Sequence, residues 1–316
     1  MALTMDPETE AALRAFLAEQ GDAPLPAVGD VAVRRAASDE RSALLAARQP
    51  QVVGVTRSDH TLITSDGAEI LLRWYAPSGA TGGAAVLHIH GGGMIMGSVE
   101  RDDAGTASLV EASGVPILAV DYRLAPEFAH PVPVEDCYAA LFWLVDHAAA
   151  LGVDPARIAV MGESAGGGLA AGVALLVRDR SGPTLARQIL VYPMLDDRTT
   201  EPDPRFDGLV TWSYEDNLTG WQALLGGAVG TDDVSPYAAP ARATDLTGLP
   251  PAYLDVGDLD IFLDEDLAYA GRLAAAGVPV ELHVLPGAPH GFEGYAPSGE
   301  LTGRAQAERV RVLRSL

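Results

Sequence analysis

Apolar residues fall along the chain in two alternating rhythms. Short continuous runs at residues 84–89, 115–121, 157–161, 188–192, 251–256 and 278–285 are bounded by Gly, Pro or Asp, the pattern of buried strands. Longer stretches between them, at about 102–113, 134–150, 264–276 and 299–316, carry helical composition, and a further helix opens at Ser164. Strands alternating with helices in this way predict a mostly parallel sheet covered on both faces. Two earlier segments, roughly 52–63 and 69–76, flank Ser65-Asp66-Gly67 and predict an antiparallel pair.

Ahead of the first strand, residues 6–20 predict a helix with Leu13, Phe16 and Leu17 on one side. A Pro/Gly-bearing stretch at 21–26 follows. Residues 37–48 predict a second helix, with Ser38 or Asp39 as its N-cap. Residues 197–245 break the rhythm. They are polar and rich in Pro and Gly, and hold Trp212, Tyr214, Trp221 and Tyr237, as an insertion or lid would.

The 316 residues suffice for one large α/β domain with a small appendage. The net charge is −22 and all 21 basic residues are arginine, which argues against nucleic-acid or anionic-membrane partners. The single cysteine, Cys137, lies in an apolar helical run and reads as a buried small hydrophobe. The acidic N-terminal segment lacks a secretory pattern and no run approaches the length of a membrane span, so a cytoplasmic location without stable membrane association is expected.

Candidate chemistry centres on Met161-Gly162-Glu163-Ser164-Ala165-Gly166-Gly167-Gly168, a strand end, a sharp turn and a helix start. Gly162-x-Ser164-x-Gly166 in that setting is a nucleophile elbow. Its turn strains the serine backbone, and glycines two residues either side avoid clashes. A serine needs a base, an acid that orients the base, and donors for the oxyanion. In an elbow protein the chain order is Ser, then Asp or Glu, then His. Of the late histidines, His290 lies in a Gly/Pro-fixed loop after the last strand and suits the base, whereas His283 lies within that strand and reads as interior and structural. For the acid, Asp255 is inside a strand, and Asp264, Glu265 and Asp266 fit the first turn of a helix. Asp258 and Asp260 remain, and spacing does not separate them. The Gly loop His90-Gly91-Gly92-Gly93 is the source of oxyanion donors, together with the N–H of Ala165. No His/Cys/Asp cluster has metal-ligand spacing, so neither metal nor organic cofactor is expected.

Taken together, His-Gly-Gly-Gly at 90–93, Asp121-Tyr122-Arg123-Leu124-Ala125-Pro126-Glu127, Gly-Glu-Ser-Ala-Gly-Gly at 162–167, Asp260 with Asp264-Glu265, and His290-Gly291-Phe292 resemble the hormone-sensitive-lipase family of α/β-hydrolases. The resemblance covers about residues 70–300. It implies the α/β-hydrolase fold: a mostly parallel eight-stranded sheet with helices on both faces and a small helical cap. It places the cap in residues 1–50 and about 197–245, with the catalytic domain over 51–316. It selects Asp260 as the acid and adds Gly92 and Gly93 to Ala165 in the oxyanion hole. It makes Arg123 and Glu127 structural ties for the loop after the fourth strand.

The implied activity is hydrolysis of short- to medium-chain acyl esters by Ser164, His290 and Asp260, acting on a small-molecule ester. Trp212, Tyr214 and Trp221 would wall the substrate pocket. Two copies would pair, as homodimers of the family do, through the last strand. Plant hormone receptors of this family lack the histidine, and His290 argues against a receptor here. The chain departs from the usual pattern at His88, where an aromatic residue is common, at Glu163, where Asp is common, and at Leu263, where Arg is common.

Overall fold

The computed structural model describes residues 3–20, 26–46, 52–79 and 83–316. Most of the expected 21–26 stretch and the end of the expected 37–48 helix lie outside these residues. Eight strands form one sheet in the order β1-β2-β4-β3-β5-β6-β7-β8. β1 (Val55–Ile63) and β2 (Glu69–Pro77) pair antiparallel around the turn, where Gly67 adopts φ +85°. β2 also runs antiparallel to β4 (Ile117–Val120). β3 (Gly83–Ile89), β4, β5 (Val153–Glu163), β6 (Arg187–Val191), β7 (Ala252–Gly257) and β8 (Val280–Leu285) are mutually parallel.

The inner strands β3 to β7 are nearly continuous apolar runs because both their faces are covered. α4 (Val132–Leu151), α5 (Ala165–Asp179) and α7 (Leu263–Ala275) contribute to the core on one face. α3 (Asp103–Ser113) and α9 (Glu300–Arg314) contribute to the core on the other. Cys137 is fully buried on α4, as its setting predicts. β8 is an edge strand, half-exposed throughout, so His283 is not interior; its Nε2 meets Glu281 at 2.8 Å instead.

The N-terminal region departs from expectation in its details. α1 (Pro7–Gln20) buries Phe16, against the Tyr295 ring of the short helix α8 (Phe292–Tyr295), while Leu17 faces solvent. The second helix, α2 (Val31–Ala46), begins six residues earlier than 37. Asp30 caps it, accepting from the Val33 N–H at 3.1 Å, so Ser38 and Asp39 lie within the helix. Ser38 is buried and its hydroxyl accepts from Arg101 at 2.6 Å.

Within 197–245 the chain forms α6 (Tyr214–Leu225), opened by a capping box between Ser213 and Asp216. α2 docks on this segment: the Arg34 guanidinium donates to Asp216 at 2.8 Å, and Thr219 accepts from the Gly29 N–H at 3.0 Å. Glu127 meets Arg35 of α2 at 2.7 Å, and Arg123 donates to Asp136 and Asp66. Both residues thus tie down the loop after β4.

Candidate active site

The parallel strands deliver their loops to one rim of the sheet, where open α/β sheets place their sites. Ser164 sits between β5 and α5 with φ +55° and ψ −121°, a strained conformation for a residue with a side chain. The backbone pins it there: its N–H donates to Val191 O at 2.9 Å, and its carbonyl accepts from Gly168 and Met194. The flanking glycines are steric requirements. A Cβ on Gly162 would lie 2.2 Å from Gly166 O, and one on Gly166 would lie 2.0 Å from Ile89 O.

His290 arrives from the loop after β8. Its Nδ1–H donates to Asp260 Oδ2 at 2.6 Å, which leaves Nε2 to accept from the Ser164 hydroxyl at 2.9 Å. A carboxylate oxygen that accepts from Nδ1–H fixes this tautomer. The rings of Tyr192 and Phe262 meet the imidazole edge-on at 4.7 Å and 5.1 Å, and Thr211 donates its hydroxyl to the His290 carbonyl at 2.5 Å. Asp260 is buried, and its Oδ1 accepts from the Phe262 N–H at 3.0 Å. Asp258, the other candidate from spacing, instead accepts from the Gly287 N–H at 2.7 Å and braces the loop that carries His290.

The Gly91–Gly93 loop follows β3. Gly92 has φ +115°, and a Cβ there would lie 2.1 Å from Met96 O. Gly93 has φ +60°, and its Cβ would lie 2.6 Å from the Trp212 ring. Among the described residues, the N–H groups of Gly92, Gly93 and Ala165 donate to no protein acceptor. His90 anchors the loop from below. Its Nδ1 donates to Gly91 O at 2.8 Å, its ring stacks on Tyr122 at 4.2 Å, and burial lowers its pKa so that it stays neutral.

A cavity of about 380 Å³ opens beside Ser164 and His290 and reaches between α3 and α9. Trp212 lines it; Tyr214 and Trp221 do not, and Trp221 is fully buried in the core. His88 and Glu163, two departures from the usual pattern, both line it and are hydrogen-bonded to each other at 2.9 Å. Sequence reasoning noted each separately. Their contact follows from the β3–β5 register, which sets His88 beside Met161 and Ile89 beside Gly162.

Outside this site, Glu281, His283 and Glu308 bring three ligand-type side chains together among the described residues. Arg311 already pairs with both glutamates, and His283 with Glu281.

Fold and site together define an α/β hydrolase with a serine at its elbow. A family profile described as the α/β hydrolase fold matches residues 86–294, and the chain belongs to that family, in its hormone-sensitive-lipase-like, bacterial-esterase branch. It is 35% identical to an ethyl acetate hydrolase of Pseudomonas putida, over 80% of each chain. It is 36% identical to the carboxylesterase NlhH of Mycobacterium tuberculosis, over 84% of this chain and 85% of that one. A solved bacterial heroin esterase superposes with a TM-score of 0.88 at 40% identity, covering 99% of this chain and 98% of the other. The chain is a carboxylic-ester hydrolase. Among the described residues no helix is long and apolar enough to cross a membrane.

Proposed function

We propose that the chain is a serine carboxylesterase that hydrolyses short- to medium-chain acyl esters through an acyl-enzyme on Ser164. The hydrogen-bonded relay from Ser164 through His290 to Asp260, at 2.9 Å and 2.6 Å, carries this reading. Nε2 of His290 takes the serine proton as Oγ bonds to the ester carbonyl carbon. Asp260 stabilises the imidazolium that forms. The carbonyl oxygen gains negative charge and is met by the N–H groups of Gly92, Gly93 and Ala165. The C–O bond to the alcohol then breaks, and His290 returns the proton to the leaving alkoxide. Water repeats the sequence with His290 as base, releasing the acid and restoring Ser164.

The printed activity of the ethyl acetate hydrolase relative supports short acyl chains. α1, α2 and residues 197–245 form the cap on this reading, supported by the docking of α2 on α6.

The test is hydrolysis of p-nitrophenyl esters from acetate to palmitate, beside Ser164→Ala. Wild-type activity should be highest on the shorter esters and vanish in the variant. Activity no greater than that of Ser164→Ala on every ester would overturn the proposal.

A further inference from the structure

The cavity beside Ser164 is not an apolar slot. His88, Asp102, Thr106, Glu163, Gln306 and Arg309 line the part between α3 and α9, next to the nucleophile. Glu163 immediately precedes Ser164, so whatever occupies this chamber lies close to the scissile bond.

The hydrogen-bonding capacity of Glu163 is unbalanced. A carboxylate offers about four acceptor positions. His88 Nε2 lies 2.9 Å from Oε1 and 2.8 Å from Oε2, and its one N–H there serves one of them. Among the described residues, no other protein donor reaches Oε2. Oε2 itself is shielded, but about 20% of the Glu163 side chain stays accessible where it lines the chamber, and an alkyl chain there would cover the carboxylate's remaining acceptor capacity without compensating it. A hydroxyl in the same place supplies the missing donor.

We propose that this chamber selects hydroxyl-bearing esters, with Glu163 accepting a hydrogen bond from a substrate hydroxyl within a few bonds of the scissile carbonyl. The proposal rests on the esterase reading above and narrows its substrate class. A site built to bond a substrate hydroxyl discriminates strongly against the analogue that lacks it, because the buried acceptor is then left unpaired.

Two pairs of esters that exchange hydroxyl for methyl test it: 2-hydroxyethyl acetate against propyl acetate, and methyl 3-hydroxybutyrate against methyl 3-methylbutyrate. The first places the hydroxyl on the alcohol side and the second on the acyl side. The wild type should favour the hydroxy ester in at least one pair by about tenfold or more in kcat/KM. The pair that responds identifies which half enters the chamber.

In His88→Phe/Glu163→Met, which removes the pair without stranding a charge, the preference should fall to about threefold or less. Glu163→Gln keeps the size and one acceptor oxygen, and should fall between. Hydrolysis of p-nitrophenyl acetate with no hydroxyl preference in either pair would overturn this inference and leave the esterase reading intact. Hydrolysis of no ester would overturn the esterase reading itself. A preference that survives unchanged in the soluble variants would overturn the assignment to Glu163.

Discussion

The imidazole of His88 lies between 2.8 and 2.9 Å from both carboxylate oxygens of Glu163, directly under the nucleophile turn. Each ring or carboxyl alone would be expensive to bury in charged form. Burial pushes the His88 pKa down, but the attraction and hydrogen bond of Glu163 outweigh it, and the net shift is upward from 6.5. For Glu163, burial pushes upward, yet His88 prevails and the net shift is downward from 4.5. Both shifts describe an ion pair.

Its pH signature follows from linkage. The raised His88 contributes stability that is complete below its ordinary value of 6.5 and is lost as pH rises through the folded value. The lowered Glu163 contributes stability that is complete above 4.5 and is lost as pH falls through the folded value. The difference in urea midpoint between the wild type and His88→Phe/Glu163→Gln should therefore peak between these limits and shrink from about pH 5.5 to pH 9. A difference that stays level over that range would contradict the ion pair.

Asp260 and Asp258 are two residues apart and hold different things. Asp260 orients the catalytic imidazole proposed above; Asp258 braces the backbone at Gly287. Asp260→Asn should lower kcat/KM by about a thousandfold or more, since the amide favours the wrong tautomer. Asp258→Asn should lower it by less than about tenfold. The reverse order, measured with p-nitrophenyl acetate, would move the acid to Asp258.

At Gly93 a methyl group would meet the Trp212 ring, and the backbone is in the left-handed region. Gly93→Ala should lower kcat/KM by about a hundredfold, the loss that accompanies a displaced oxyanion donor. Part of that loss is the clash with Trp212. In a Trp212→Ala background the same substitution should do less harm, by about tenfold. Equal losses in the two backgrounds would place the damage in the backbone conformation alone.

Asp266 is fully buried in the first turn of α7, and neither of its carboxyl oxygens has a partner among the described residues. Burial, then the neighbouring Glu265, Asp260 and Asp255, hold its pKa well above 3.8, so the folded protein keeps its proton. The unfolded chain releases that proton above pH 3.8, and stability falls as pH rises through the window. Asp266→Ala should stabilise the fold at neutral pH by about 1–3 kcal/mol, and by less near pH 4. Thermal or urea unfolding at the two pH values checks both the sign and the trend.

The order of strands and helices was legible because burial on both faces of the sheet makes each inner strand a continuous apolar run. The elbow, the glycine loop and His290 stood out for a related reason: the chemistry proposed for them demands particular residues at strand ends. α2 was placed too late because Asp30 was not recognised as its cap. α6 was missed within its polar segment, although Ser213 and Asp216 carry a capping-box pattern. The choice between Asp258 and Asp260 depends on the path of one loop in space. The pairing of His88 with Glu163 depends on strand register. No one-dimensional pattern encodes either.

The tie between α2 and the loop after β4 has a bearing on when the proposed activity appears. Arg35 of α2 donates to the carbonyls of Ile95 and Ala125 and binds Glu127, which lie 60, 90 and 92 residues further along the chain. Arg34 waits for Asp216, 182 residues on, and His290, the proposed base, comes 126 residues after Ser164. During synthesis the first helices emerge long before anything they hold. The nascent chain can carry its serine, its glycine loop and most of its sheet out of the ribosome while remaining inert. On the proposed mechanism, turnover starts only when the last strand and the loop behind it have joined the fold.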